Sequence, residues 1–350
     1  MEQTTKTYPV TIKKLSGSRI ELTVALPSSV FDATRSEAIR HIGRDVALPG
    51  FRKGHVPEKV LLAKIGESAL LEEMAEITIG RVYPTIIVEE KLDVLGRPEV
   101  KITKIAHGNP LEFTVTTAVF PEVKLPDYKK LAAKAAKKHD GHVKVTEADI
   151  DKTIAEIRKM RGQQEAEMSG TEFSPDAPLP EIDDAYVATL GAFKTVAELR
   201  DKLRENITKD KEREAKDKKR VAIMEAIADD TKIELPDVIV EQELNRMQDE
   251  FAADVSRMGL DFDGYLSAVK KDKEELRKEW RPDAEKRAKI QIIVGKIADE
   301  EKIEPNKEKL EQETSMLTAR YPDTDKERIH SYVHMLLTND AVFEFLENQA

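Results

Sequence analysis

Near the amino terminus the apolar positions alternate with polar ones: Tyr8, Val10 and Ile12, then Ile20, Leu22, Val24 and Leu26. A period of two marks half-buried strands, and Leu15-Ser16-Gly17-Ser18 between them supplies a hairpin turn. Pro27 stops the second strand. Ser28 or Ser29 is placed to cap a helix whose apolar face uses Val30, Phe31, Ala38, Ile42 and Val46. That helix ends by Pro49-Gly50, and a second opens at Pro57, a residue suited to a first helical position, with Val60, Leu61 and Ile65. After Gly66 a third helical pattern follows, Leu70, Leu71, Met74, Ile77 and Val82, with a kink expected at Pro84. Alternation returns at Val100-Lys101-Ile102 and at Leu111, Phe113, Val115, Thr117 and Val119. Strands, helices, then strands predict one α+β domain over residues 1–122.

Beyond it the period changes to that of helices. Thr146-Glu147-Ala148-Asp149 reads as a capping box opening a helix with Ile150, Ile154, Ile157 and Met160 on one side. Residues 162–181 then hold three prolines, two glycines and few large apolar side chains, which predicts a linker. Thr195 with Glu198 is a second capping box, ahead of Leu199, Leu203 and Ile207. From Lys209 to Arg220 there are seven basic and four acidic residues and no apolar stripe, the mark of a solvated, self-paired helix face. The segment Ile227 to Pro236 resembles Ile297 to Pro305 at an offset of 70 residues, each a helix ending followed by a proline and another helix. The expected organisation is therefore an α+β domain at 1–122, a connecting helix and Pro/Gly-containing linker at 123–190, and a mostly α-helical, elongated domain with arm-like projections at 191–350.

Composition sharpens this picture. Charged residues are 35% and apolar ones 40% of the 350 residues, which favours a large, charged, helix-rich surface over one compact globule. The formal charge is −10, yet residues 1–60 carry ten Lys and Arg against six acids, so a basic end precedes an acidic body. The absence of cysteine excludes disulfide scaffolds, thiolate metal sites and cysteine nucleophiles. No apolar signal core opens the chain and no run of 18 apolar residues occurs, so a cytoplasmic protein without membrane association is expected. Phosphate loops, dinucleotide turns and nucleophile elbows are missing, so neither a cofactor nor a catalytic residue is assigned. His330 and His334 sit four apart but lack a third ligand, so no metal site is assigned either. Seven of nine methionines lie beyond residue 150, and Met224, Met247, Met258, Met316 and Met335 are candidates for an adaptable binding surface that accepts many sequences.

The loop between the first two predicted helices is Gly50-Phe51-Arg52-Lys53-Gly54-His55-Val56-Pro57. Its glycines permit a sharp reversal, presenting an apolar anchor and two adjacent cations at a tip; read alone, it is also the sequence of an ordinary surface turn. It resembles the ribosome-docking signature of the bacterial trigger factor family. Gly96-Arg97-Pro98-Glu99-Val100, the stretch Val119-Phe120-Pro121-Glu122-Val123-Lys124-Leu125, and Arg281-Pro282-Asp283-Ala284-Glu285-Lys286-Arg287 extend the resemblance in order along the chain. The resemblance implies an ATP-independent chaperone that docks at the ribosome through Gly50, Phe51, Arg52, Lys53 and Gly54, contacting exit-tunnel protein and ribosomal RNA. Unfolded nascent polypeptides would be its clients. Family members usually carry a prolyl-isomerase module of the FK506-binding type in mid-chain. Residues 162–181 are too short for one, since an independent domain needs roughly 50 residues, and the chain is expected not to be an enzyme. A ribosome-independent cytosolic holdase or assembly chaperone, acting as a homodimer, is the alternative.

Overall fold

The computed structural model describes residues 8–46, 51, 56–139, 144–170, 181–190 and 193–349. The predicted hairpin is β1 (Val10–Leu15) and β2 (Arg19–Leu26), turning through Gly17 and Ser18 at φ 70° and 48°. Where one helix was expected there are two, α1 (Ser28–Asp32) and α2 (Arg35–Asp45). The Thr34 hydroxyl accounts for the break: buried, it lies 2.7 Å from the Phe31 carbonyl and 3.1 Å from the Thr78 hydroxyl. No serine side chain caps α1; Pro27 stands at the cap, and its carbonyl accepts from the N–H groups of Val30 and Phe31. In α3 (Glu58–Glu89), Gly66 leaves helical geometry at φ 83°, ψ 161°, while Pro84 lies within the helix. The interruption is thus at the glycine, which tolerates positive φ, and not at the proline.

Two further strands, β3 (Val94–Lys104) and β4 (Leu111–Val119), complete an antiparallel sheet of order β1-β2-β4-β3. Register aligns Val10, Val24, Phe113 and Ile102 across it, and Ile12, Leu22, Val115 and Val100 in the next row on the same face. That face packs under the helices in a core of Leu22, Val24, Leu26, Phe31, Leu70, Met74, Leu111, Phe113 and Val115, all at most 1% exposed. Arg35 pairs with Glu58, Arg81 with Glu37 and His41 with Glu73, so α2 is tied to both parts of α3.

The chain divides into two compact units, Met1–Lys124 with Lys232–Ile293 and Leu125–Thr231 with Val294–Ala350. The second unit begins with α4 (Tyr128–Lys138) and α5 (Glu147–Ser169). The Thr146/Asp149 capping box is formed as read. The helix continues past Met160 to Ser169 and stops at Gly170, φ 69°, so the linker expected from residue 162 starts later. Gln163 to Met168 are good helix formers without an apolar stripe, and Arg161 reaches Glu165 at 2.7 Å. Arg161 also donates to the Glu181 carbonyl and stacks 4.2 Å over Tyr186, fixing α6 (Asp184–Thr189) against α5.

In α7 (Val196–Asp230) the Thr195 hydroxyl accepts from the Glu198 N–H at 3.2 Å, but the Glu198 carboxylate returns to Lys194, so the expected box is half formed. The charged stretch of α7 is only partly self-paired, Lys209 with Glu205 and Lys218 with Glu214, each four residues apart; Lys211 instead reaches Asp149, and Lys216 and Arg220 pair with acids of the last helix, Lys326–Glu347. Next come α8 (Asp237–Arg257), α9 (Phe262–Val269), α10 (Lys273–Glu301), α11 (Lys307–Arg320) and α12 (Lys326–Glu347). The repeat is structural as well as sequential: Ile223 and Ile293, Ile227 and Ile297, Ala228 and Ala298 are all buried, and each copy leads through a short turn into a new helix.

Within the first unit, α8 and α10 enclose a small core of Val240, Leu244, Met247 and Ala284, with Leu235 and Trp280 beside it. Phe251 stands edge-on to Phe262, Tyr265 and Trp280 at 6.2, 5.1 and 5.3 Å. Charge does much of the remaining joining. Arg281 pairs with Asp237 and Glu241, Arg277 reaches Glu241 at 2.6 Å, and Arg287 reaches Glu250 at 3.4 Å. In the second unit, Arg220 binds Glu347 at 2.8 Å and Asp340 at 2.7 Å, fastening α12 to α7, and the Tyr128 hydroxyl donates to Glu301 at 2.5 Å. Loss of solvent around Tyr128, then that carboxylate, raises its pKa well above the ordinary phenol value.

Candidate functional site

The Gly50–Pro57 loop joins α2 to α3. Gly50, Arg52, Lys53 and Gly54 lie outside the described residues. Phe51 is 40% exposed, a costly position for a large apolar side chain unless something covers it. Pro57 is extended, φ −59° and ψ 140°, and its carbonyl accepts from Val60 and Leu61 to start α3. Arg40 and Arg44, one turn apart on α2, and Lys59 and Lys64 on α3 are exposed and make no ion pair among the described residues. An exposed phenyl ring thus sits on a connection whose two flanking helices carry unneutralised cations. Such a surface can dock onto an anionic, partly apolar partner.

The five methionines separate by environment. Met224 is 2% exposed among the α7 residues Ile223 and Ile227, and Met247 is 9% exposed in the α8/α10 core. Both fill interior gaps and present nothing to a client, because their helix faces are covered by neighbouring helices. Met258, Met316 and Met335 are 77%, 58% and 36% exposed. Met316 and Met335 lie on the α11/α12 hairpin, whose own core is Leu310, Ile329 and Val333. Tyr332, Met335 and Leu336 share a face of α12, and Tyr321 follows α11. These tyrosines and Leu336, together with Met160 and Met168 on α5, add further exposed apolar surface that the sequence reading did not single out.

His330 and His334 have ring centroids 6.4 Å apart, and no group of three or more metal-ligating side chains occurs among the described residues. No helix among them is long and apolar enough to cross a membrane. The strong electrostatics is structural. Lys211 and the Thr146 groups hold the Asp149 carboxyl far below its usual range, and Lys202 with Lys209 lowers Glu205 to about 2.

Comparison with known proteins matches this organisation. The family model described as bacterial trigger factor protein covers residues 8–157, and that of the trigger factor C-terminus covers residues 195–349. A trigger factor of Halothermothrix orenii is 24% identical, with 92% of each chain covered, and one of Halalkalibacterium halodurans is 24% identical over 88% of this chain and 89% of its own. The alignment with the former runs to 403 positions, more than the 350 residues present here, so that relative carries residues with no counterpart in this chain. A solved trigger factor chaperone, described for promiscuous substrate recognition in folding and assembly, superposes with a TM-score of 0.55 at 17% identity. It covers 98% of this chain and 100% of its own, a likeness of fold. The two family models, which between them take in the sheet unit, the α2–α3 connection and the helical hairpins, show that this chain belongs to the trigger factor family of chaperones.

Proposed function

We propose that the protein is a ribosome-associated, ATP-independent chaperone that shields nascent polypeptides in the cytoplasm. The observation that carries this reading is Phe51, exposed between two helices bearing Arg40, Arg44, Lys59 and Lys64, which make no ion pair among the described residues. With Gly50, Arg52, Lys53 and Gly54 it forms the docking tip, meeting exit-tunnel protein and ribosomal RNA. Residues 1–122 dock, 123–190 connect, and 191–350 hold the client. The accessible methionines Met258, Met316 and Met335, joined by Tyr332 and Leu336, supply adaptable apolar contacts for unfolded chains of varied sequence.

Prolyl-isomerase activity is absent in this reading. The segment between the two family matches, residues 158–194, is 37 residues long, and much of it is used by α5 and α6. A proline-peptide isomerisation assay on the purified chain tests this, and measurable catalysis overturns it. Ribosome co-sedimentation of wild type beside a Phe51→Ala/Arg52→Ala/Lys53→Ala variant, over a salt series, tests docking. The wild type should pellet, with binding weakening as salt rises, and the variant should stay in solution. If both stay in solution, the protein works off the ribosome, and a homodimer seen by light scattering then becomes the better account.

A further inference from the structure

Helix α4 keeps its lysines on one side. Tyr128, Ala132, Ala135 and Ala136 are buried, and Lys130, Lys134, Lys137 and Lys138 fall on the opposite face, within a sector of about 100°. All four are exposed, and none forms an ion pair among the described residues. Many cations of the same unit are neutralised, although Lys152 and Lys159 on α5 also make no ion pair among the described residues; what sets α4 apart is that four such lysines share one face. Lys129 is neutralised by Glu301, Lys209 by Glu205, Lys211 by Asp149, Lys218 by Glu214, and Arg200 with Arg204 by Glu147. In a chain of net charge −10, four unneutralised lysines on one helical face are a local choice and not a by-product of general basicity.

Helix stability does not account for them. Lys137 and Lys138 lie in the last turn, where cations suit the helix dipole, but Lys130 lies in the first turn, where they oppose it. From Lys130 to Lys138 the helix rises about 12 Å, a length covering three to four phosphates of one nucleic-acid strand. That face has no aromatic residue on which a base could stack, and α4 has no arginine to grip a carboxylate through two hydrogen bonds. Flexible point charges in a regular row suit a regularly spaced backbone of phosphates better than the irregular carboxylates of an unfolded peptide.

We propose that the lysine face of α4 binds the phosphate backbone of RNA without reading its sequence. This site is separate from the Gly50–Pro57 loop and does not rest on the reading of that loop. The test uses the full chain and a fluorescent single-stranded RNA of about 20 nucleotides, followed by anisotropy from about 50 to 200 mM salt. Four phosphate contacts contribute a slope of roughly 3 in the logarithm of affinity against the logarithm of salt. The K130Q/K134Q/K137Q/K138Q variant should lose that slope and at least tenfold in affinity at the lowest salt, with its circular dichroism unchanged. K130Q alone should lose roughly 0.7 of slope, which guards against a folding defect in the quadruple variant. An Arg52→Ala/Lys53→Ala variant should keep the contribution of α4, so a failure of ribosome docking remains distinguishable. The proposal is overturned if the wild type does not bind RNA at about 50 mM salt, or if the quadruple variant binds like wild type. It is equally overturned if polyglutamate of matched length displaces the RNA as well as unlabelled RNA does, since the face would then be a site for acidic polypeptide.

Discussion

The sheet with its helices and the α8/α10 hairpin are held together by different means. Under the sheet, ten large side chains from β2, α1, α3 and β4 are at most 1% exposed, and the stabilisation is apolar area removed from water. Between α8 and α10 the buried cluster is four residues with two partners, and the seam is closed by Arg277, Arg281 and Arg287 against Asp237, Glu241, Glu243 and Glu250. A chain with 35% charged residues thus uses part of that charge as cement. The difference teaches what each region tolerates. An apolar core demands shape and is nearly indifferent to salt, whereas an ion-paired seam admits looser packing and responds to solvent.

The largest effect expected is at the sheet. Phe113→Ala should cost about 3–5 kcal/mol, read as a lowered midpoint in urea unfolding, because a fully buried ring leaves a cavity. A loss below about 1 kcal/mol would mean that this core is not close-packed. At the seam, Arg277→Ala should cost only about 1–2 kcal/mol, since Glu241 keeps Arg281 and side-chain partners near the surface are worth little singly. Raising sodium chloride to about 1 M should shrink the Arg277 difference and leave the Phe113 difference in place, which is the direct test of the contrast.

Smaller again is the capping box of α5. Thr146→Ala should lower stability by about 1 kcal/mol, seen as reduced helicity on mild heating. Acid should act more gradually on α7. The folded pKa of Glu205, about 2, lies below its ordinary 4.5, so its lysine pairs stabilise the helix fully above about pH 4.5. That contribution is lost as pH falls towards 2, and Glu205→Gln should flatten the helicity profile over this window. Smallest of all, Lys14→Ala should leave the melting temperature unchanged, because Lys14 and Glu122 are 79% and 82% exposed and their pairing is screened by water.

The strands were legible because alternation has few other causes: Ile20 to Leu26 and Leu111 to Thr117 each bury every second residue. The helical boundaries were less so. The break at Thr34 depends on the Thr78 hydroxyl, 44 residues away, and nothing local announces it. The last turns of α5 carry no apolar stripe, so periodicity fell silent at Met160 while the backbone hydrogen bonding continued to Ser169. Of the Gly50–Pro57 loop, residue types and spacing were readable, whereas the absence of ion pairs at Arg40, Arg44, Lys59 and Lys64 among the described residues is a property of three-dimensional neighbours. For the same reason Met224 and Met258 look alike in sequence and differ completely in exposure. Methionine is at home on either side of a surface, and only the helix packed against it decides.

The two units are interleaved along the chain, and this has a consequence for how the molecule is made. Synthesis runs from the amino terminus, so every residue of the sheet core, up to Val119, is available before any of the helices of the second unit exist. That core can close early. Residues 232–293, which complete the same unit by placing the Glu234 carboxylate on the Gly17 N–H and the Glu234 carbonyl on the Ser18 hydroxyl, arrive only after 107 intervening residues, 125–231, have been added. A chain built in this order has every residue of its first core in hand before the segment that finishes the unit is made.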